Sequence, residues 1–390
     1  MSEGQELAER GGKPPQRLPA VPAPDGGATR VLMISGMDLS EDRVGPEQPV
    51  PDFMALRRVM RTDVLDIRSV GDATHPLVAA LVRRGSLDWA VAVATLARRR
   101  FYDVILATGE DVGLRLAVLA KAMHAQVPLA IICHNITSKP STLDLGVLRC
   151  GTRVACFQCQ SLAQANTLMQ RYGIPPDRIQ LLSWHVDEAF FRPLDRPVRP
   201  RQVCSAGMAS RDYATLVAAV APLDVDLRIA ADSPWFRQRL NISTDGLGPR
   251  VEVRSYGTYA ALRELYATSP LVVVPLLDVA FSVGFSVILE AMAMGKPVIV
   301  TQTRQPDDFV IDGQNGYRVR PGDVRQLRAR ITELLDDPPK AAWMGANGRR
   351  LVEERFRLRH FVERMRCARD RVLALSRTPV PGRSAGSRGR

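Results

Sequence analysis

The residues best placed to do chemistry lie between Phe281 and Val300. The stretch reads as a loop containing Gly284, a helix opening at about Phe285 or Ser286, a stop at Gly295, and a buried strand begun by Pro297. Glycine lets backbone approach a ligand closely. The first turn of a helix offers unpaired N–H groups and the positive end of the dipole. The amides of Gly284, Phe285, Ser286 and Val287 therefore form a candidate cradle for a diphosphate. Glu290 follows about one turn in, where its carboxylate can accept two hydroxyl hydrogen bonds from a ribose. The same pattern also suits an ordinary βαβ helix on which Glu290 is a solvated acid, and pattern alone leaves both readings open.

Other candidates carry less. Asp224-Val225-Asp226 has an Asp-x-Asp spelling, but it leads into a strand rather than following one and reads as a surface turn. Cys156 and Cys159 form a C-x-x-C, with Cys133 and Cys150 nearby, yet no second pair or H-x3-H follows, so no metal is expected. Gly295-Lys296-Pro297 lacks P-loop spacing, and no G-x-G-x-x-G follows a strand. A nicotinamide-linked dehydrogenase is not expected.

Positioning these residues requires an alternating scaffold. Strands are expected at 29–35, 102–107, 128–133, 153–157 and 179–182, with helices at 86–99, 110–123 and 162–171 between them. The proline-rich, charged stretch 192–201 reads as a linker. A second series follows, with strands at 203–206, 227–230, 251–254, 271–275 and 297–300 and helices at about 211–221, 259–267, 286–294, 323–336 and 339–354. Short apolar strands alternating with helices argue for α/β halves whose parallel sheets are covered on both faces. Ligands of such sheets bind at the carboxyl ends of the strands, which makes a cleft between the halves the default site.

Composition sets the outer bounds. The chain has 390 residues, 46% hydrophobic and 24% charged, an ordinary globular mix that excludes disordered, collagen-like and coiled-coil readings. The most apolar region, 113–133, is interrupted by Arg115, Lys121 and His124, so no membrane-spanning helix is expected. The N-terminus lacks the apolar core of a secretory signal, and residues 1–28 read as a disordered leader. Six cysteines are too few for a disulfide scaffold of this length. These features suggest a cytoplasmic protein, free or peripheral on the inner face of a membrane. The net charge of +12 comes mostly from arginine and suits phosphate, diphosphate or acidic lipid. Arg83–Arg84, Arg98–Arg100 and the arginine-rich pattern 349–371 could touch anionic lipid; the pattern 349–371 also reads as a solvated helix packing one face. Aromatic interleaving for base stacking is absent, so nucleic acid is not an expected partner.

The stretch GFSVILEAMAMGKPVIV (284–300) resembles the C-terminal signature of retaining nucleotide-sugar glycosyltransferases of family 4, which have the GT-B fold. QSLAQANTLMQRYGIP (160–175), VDEAFFRP (186–193), AGMASRDYATL (206–216) and DGQNGYRVRPGD (312–323) resemble other family segments, in the same order. The resemblance covers about residues 29–372 and is loose before residue 100.

It implies two Rossmann-like, doubly wound domains: an acceptor-side domain at 29–190, a linker at 191–201, and a nucleotide-sugar domain at 202–354. A helix at 355–374 would return to the first domain, and 375–390 would be a disordered basic tail. The implied function is metal-independent transfer of a sugar from a nucleotide-diphosphate sugar to an acceptor hydroxyl, with retention and without a cofactor. Glu290 matches the second glutamate of the family's E-x7-E motif, the ribose holder. The first glutamate, a donor-sugar contact, falls on Ser282. Arg211 matches a basic residue that contacts the diphosphate, and Met208 stands where a second basic residue is usual. His134 matches a histidine that reaches the donor sugar. The departures at Ser282 and Met208 motivate an alternative, a catalytically degenerate scaffold that binds a nucleotide sugar or a partner protein. The acceptor (glycan, lipid-linked or small molecule) is not specified by the sequence.

Overall fold

The computed structural model describes residues 29–40, 45, 47–71, 75–231, 248–279, 283–304 and 309–377. The expected leader, Ser282 and all but the first residues of the expected tail lie outside them. By contact density the chain divides into two units. The first contains the chain up to Ser40, Leu56–Leu182 and the residues from Glu363 onward; the second contains a segment ending at Ala55 and Ser183–Val362.

Among the described residues the first unit holds six parallel strands: β1 (Val31–Ile34), β2 (Asp63–Leu65), β3 (Val104–Ala107), β4 (Leu129–Cys133), β5 (Cys156–Cys159) and β6 (Ile179–Leu181), ordered β2-β1-β3-β4-β5-β6. β1, β3, β4 and β5 are buried along their whole length, as a sheet covered on both faces requires. The covering helices are α1 (Asp52–Met60, grouped in part with the second unit), α2 (Ile67–Gly71), α3 (Pro76–Arg83), α4 (Leu87–Arg98), α5 (Glu110–Ala122), α6 (Lys139–Thr142) and α7 (Leu162–Tyr172). Gly113 lets α5 settle on the sheet, because a methyl group there would come within 2.8 Å of Ile131 Cγ1 and 2.9 Å of Ala107 Cβ.

Two expectations need correction here. The strand placed at 153–157 begins only at Cys156. Arg149 takes a left-handed φ of 48° and Cys150–Arg153 tighten into a 3-10 turn, which uses up the apolar run. β2 and the helices of residues 52–83 were not foreseen, since three residues of strand show no readable period.

The second unit has β7 (Gln202–Ala206), β8 (Asp226–Ala230), β9 (Val251–Arg254), β10 (Leu271–Val274), β11 (Val298–Thr301) and β12 (Gly316–Val319), all parallel and ordered β12-β11-β10-β7-β8-β9. Its helices are α8 (Tyr213–Val220), α9 (Tyr259–Thr268), α10 (Phe285–Ala293), α11 (Val324–Asp336) and α12 (Pro338–Leu351). A last helix, α13, runs Leu358–Arg377, so it continues past residue 375. Both units are thus Rossmann-like sheets within a two-domain α/β fold. Among the described residues, no helix is long and apolar enough to cross a membrane.

Candidate functional site

Strand order locates the site in the second unit. From β7 the chain adds β8 and β9 on one side, then returns to place β10, β11 and β12 on the other. The direction reverses between β7 and β10, and the carboxyl ends of those two strands flank the crevice where such sheets bind ligands.

The loops leaving the two strands are bonded to each other. Asp212 N–H donates to Pro275 O at 3.1 Å, Leu277 N–H donates to Ser210 O at 2.9 Å, and Arg211 pairs with Leu276 as an isolated bridge. After β7 the backbone turns at Gly207 (φ 98°), and α8 is capped by Asp212, whose carboxylate accepts from Thr215 N at 3.1 Å. After β10 the chain returns at Gly284 (φ 79°) to start α10. A side chain on Gly284 would come within 3.0 Å of Val274 Cγ1 and 3.2 Å of Leu276 Cδ2. Only glycine suits both that backbone conformation and that contact. Gly284 provides no side-chain cap, so the amides of Phe285, Ser286 and Val287 have no partner within the helix. Ser286 is exposed, whereas Phe285 and Val287 are buried; the Phe285 ring packs edge-on against Trp184 at 5.6 Å and Phe309 at 5.0 Å.

Arg211 is wrapped around its own loop. Its Nε donates to Ala206 O at 3.0 Å and its Nη1 to Ala209 O at 2.8 Å. The guanidinium lies over Gly207, where a Cβ would collide with Nη2. Burial draws the arginine below its usual basicity, while Tyr213, Tyr266 and Glu290 counter that effect.

Glu290 is buried, which overturns the reading of a solvated acid. Its Oε2 accepts from Tyr266 OH at 3.0 Å. Burial raises its pKa to about 7, against the opposing pull of the Tyr266 hydrogen bond and the Arg211 charge. Tyr266 was missed by sequence reading. A fully buried tyrosine needs a partner for its hydroxyl, which is a signal of sorts, but nothing local identifies a carboxylate 24 residues away. Tyr213, whose OH donates to Gly207 O at 2.6 Å and steadies the first loop, was missed for the same reason.

The fold therefore gathers Arg211, Gly284–Val287 and Glu290 around one switch point, while His134 stands in the first unit. It follows β4 and is exposed. His134 Nε2 lies 2.9 Å from Thr108 O. A carbonyl only accepts, so Nε2 carries the proton and Nδ1 is the acceptor of the neutral ring. Glu110 fixes the backbone here, accepting from His134 N at 2.8 Å and from Asn135 N. Ser282 lies outside the described residues.

The discounted motifs have structural occupations. Asp224 pairs with Arg250, and Asp226 opens β8 beside Arg228. Burial pushes the Cys150 thiol up to about 12 and Cys156 up to about 11, which favours the neutral form over the thiolate that binds metals. Among the described residues, no group of three or more His, Cys, Asp or Glu is arranged to hold a metal.

Residues 205–337 match the family described as Glycosyl transferases group 1. The MMP alpha-(1->4)-mannosyltransferase of Mycolicibacterium hassiacum is 29% identical over 204 residues, covering 50% of this chain and 49% of that protein. The D-inositol 3-phosphate glycosyltransferase of Thermobispora bispora is 28% identical over 216 residues, covering 48% and 49%. The chain spans about half the length of these curated relatives. Among solved structures, Anabaena Alr3699/HepE in complex with UDP-glucose aligns with a TM-score of 0.65 at 17% identity, covering 87% of this chain and 98% of that one. Sucrose-phosphate synthase from Thermosynechococcus elongatus aligns with a TM-score of 0.67 at 17% identity, covering 89% and 100%. The fold is GT-B.

Proposed function

We propose that this chain, a GT-B protein whose residues 205–337 are a group 1 glycosyl transferase domain, moves a sugar from a nucleotide-diphosphate sugar to an acceptor hydroxyl with retention of configuration and without a metal. One observation carries the reading: a half-buried arginine, a glycine-led helix N-terminus and a buried carboxylate meet at the β7/β10 switch point.

Each part has a role in bond cleavage. Breaking the anomeric C–O bond builds negative charge on the diphosphate. The amides of 284–287, the helix dipole and Arg211 would stabilise that charge, with one well-aimed donor contributing about 2.7–4 kcal/mol. Arg211 is already held by two carbonyls, so little reorganisation accompanies the reaction. With Oε2 of Glu290 engaged by Tyr266, Oε1 is left to accept ribose hydroxyls. His134 would offer Nδ1 to a donor-sugar hydroxyl. In a same-face displacement the acceptor attacks where the leaving group departs, so no protein nucleophile is required. The Anabaena structure contains UDP-glucose, which supports trying uridine donors first.

Ser282 and Met208, standing where the family has a glutamate and a basic residue, favour a second reading as a scaffold that binds a nucleotide sugar or partner without turnover. Thermal shifts with UDP, GDP and ADP, followed by mass-spectrometric detection of donor hydrolysis or transfer, separate the readings. The enzyme reading expects turnover in wild type that is lost in Arg211→Ala and Glu290→Ala. A nucleotide shift without turnover of any donor favours a scaffold that holds a nucleotide sugar, and no shift with any nucleotide overturns the enzyme reading in favour of a scaffold that binds a partner. A bound nucleotide at a hundredfold excess over Kd should stabilise the fold by about 2.7 kcal/mol.

A further inference from the structure

A second concave site lies in the same unit, away from the residues just described. It is a cavity of about 510 Å³ between the turn that precedes β12 and the outer stripe of α12. That size falls in the range of small-molecule sites, roughly 300–1,000 Å³.

Helical spacing forms one wall. Trp343, Asn347, Arg350 and Glu354 recur at i, i+4, i+7 and i+11, continuing from α12 into the turn Val352–Phe356. The helix commits a different face to the core. Methyl groups on Gly345 and Gly348 would run into Gly295 O and, at 3.2 Å, Met292 Cγ, so that face is closed against α10 and its C-terminal turn. The other wall is the Asp-Gly/Asn-Gly turn. Asn315 makes it rigid, accepting from Ile311 N at 2.8 Å and donating to Phe309 O at 2.9 Å. A short network joins the walls: Arg350 Nη2 donates to Asn347 Oδ1 at 2.7 Å, and Asn347 Nδ2 donates to Gln314 O at 2.8 Å.

Trp343 has no place in this ordering as a core residue. It lines the cavity yet is 53% exposed, and Ile311, also in the lining, is 43% exposed. We propose that this cavity binds a neutral oligosaccharide, with one pyranose ring lying on the Trp343 indole. The apolar C–H face of a pyranose suits a flat aromatic surface, while its rim of hydroxyls needs donors and acceptors together. Arg350 supplies donors, Glu354 supplies acceptors, and the Gln314 amide supplies both. The one cation and one anion of the lining cancel. A phosphate would meet Glu354 without a surplus of positive charge, and an apolar helix would have to desolvate five polar lining residues out of eight.

The test uses the full chain labelled with 5-fluorotryptophan, in which Trp343→Ala identifies the Trp343 ¹⁹F signal among the four tryptophans. Maltohexaose, cellohexaose and mannohexaose are titrated separately, up to roughly ten times a millimolar Kd. At least one should shift the Trp343 signal saturably. Saturation transfer to the same sugar should vanish in Trp343→Ala, persist in Trp343→Phe, and weaken about tenfold in Glu354→Gln. No shift with any of the three, undiminished transfer in Trp343→Ala, or an equal shift with inorganic phosphate would overturn the assignment. Because the indole is exposed, Trp343→Ala should keep the wild-type melting temperature. The UDP thermal shift is read in the same samples, so loss of this site is distinguishable from failure of the transferase reading.

Discussion

The two sheets reverse direction at different strands and surround the reversal with opposite charge. In the first unit the switch lies between β1 and β3, and carboxylates crowd it. Gly36, just past β1, has Asp111 over its Cα and Asp88 Oδ1 3.1 Å from where a Cβ would sit, with Glu110 bonded to the neighbouring loop. In the second unit the switch lies between β7 and β10 and presents a guanidinium and the positive end of α10, with one buried carboxylate behind them. The same Rossmann-like scaffold thus carries a guanidinium and a helix N-terminus at one switch point and carboxylates at the other. What differs lies in the loops after the strands and in the helices that follow them, on a sheet frame that the two units share.

The largest way to break this contrast is to remove the positive pole. Arg211→Ala should lower kcat by about 10²–10³-fold, the loss typical for one preorganised donor at a developing oxyanion. Asp111→Asn in the first unit should leave the UDP thermal shift unchanged. Comparable loss of nucleotide binding in both variants would mean that the two poles do not divide the work.

A smaller effect tests the buried carboxylate. The folded pKa of Glu290, about 7, lies above the 4.5 of an ordinary glutamate. Folding therefore favours the protonated form, and the associated stability is present below about pH 4.5 and lost as pH rises through 7. Glu290→Gln should match wild type near pH 4 and exceed it by about 1–3 kcal/mol at pH 8 in urea unfolding. A variant less stable than wild type at pH 8 would refute the assignment. For the same reason wild-type UDP affinity should rise between pH 6 and 8 more steeply than that of the variant.

How much of this was readable in advance follows from locality. The candidate donor-side cradle lies within one continuous stretch, so the Gly284 turn, the start of α10 and the Gly295 stop were all legible, and the helix begins at Phe285 as read. Arg211 lies 79 residues before Glu290 in the chain, and only the family resemblance joined them. The acidic pole was not legible at all. Gly36 follows β1, Asp88 lies in the first turn of α4 and Asp111 in the first turn of α5, and no spacing rule connects them before β1 and β3 are paired. Burial was the other gap: Ser286 and Glu290 interrupt an otherwise apolar α10 four residues apart, yet Ser286 is exposed and Glu290 buried, a difference that helical spacing does not give and the packing of Tyr266 does.

Tyr266→Phe sharpens the picture on the donor side. It removes the hydrogen bond that holds Glu290 toward the ionised form, so the pKa of Glu290 should move further up and the pH midpoint of nucleotide binding should follow. The stability loss should be about 1 kcal/mol, one hydrogen bond, since the ring itself is retained. An unshifted midpoint with the same stability loss would make Tyr266 a packing residue only.

The smallest expected effect lies at the acidic pole. Burial raises the pKa of Asp88, Asp111 raises it further, and Arg115 opposes both. A carboxylate shifted upward adds stability below its unfolded pKa and loses it as pH rises, so Asp88→Asn should gain on wild type at pH 7 and not at pH 3. Asp88 is half-buried, so water screens much of the repulsion and the gain should stay under about 1 kcal/mol. The UDP thermal shift should not change, because the variant touches only the first unit. A destabilised Asp88→Asn at pH 7 would show instead that Asp88 is held by a favourable contact. The pull of the Arg115 charge would then outweigh both burial and Asp111 at that position.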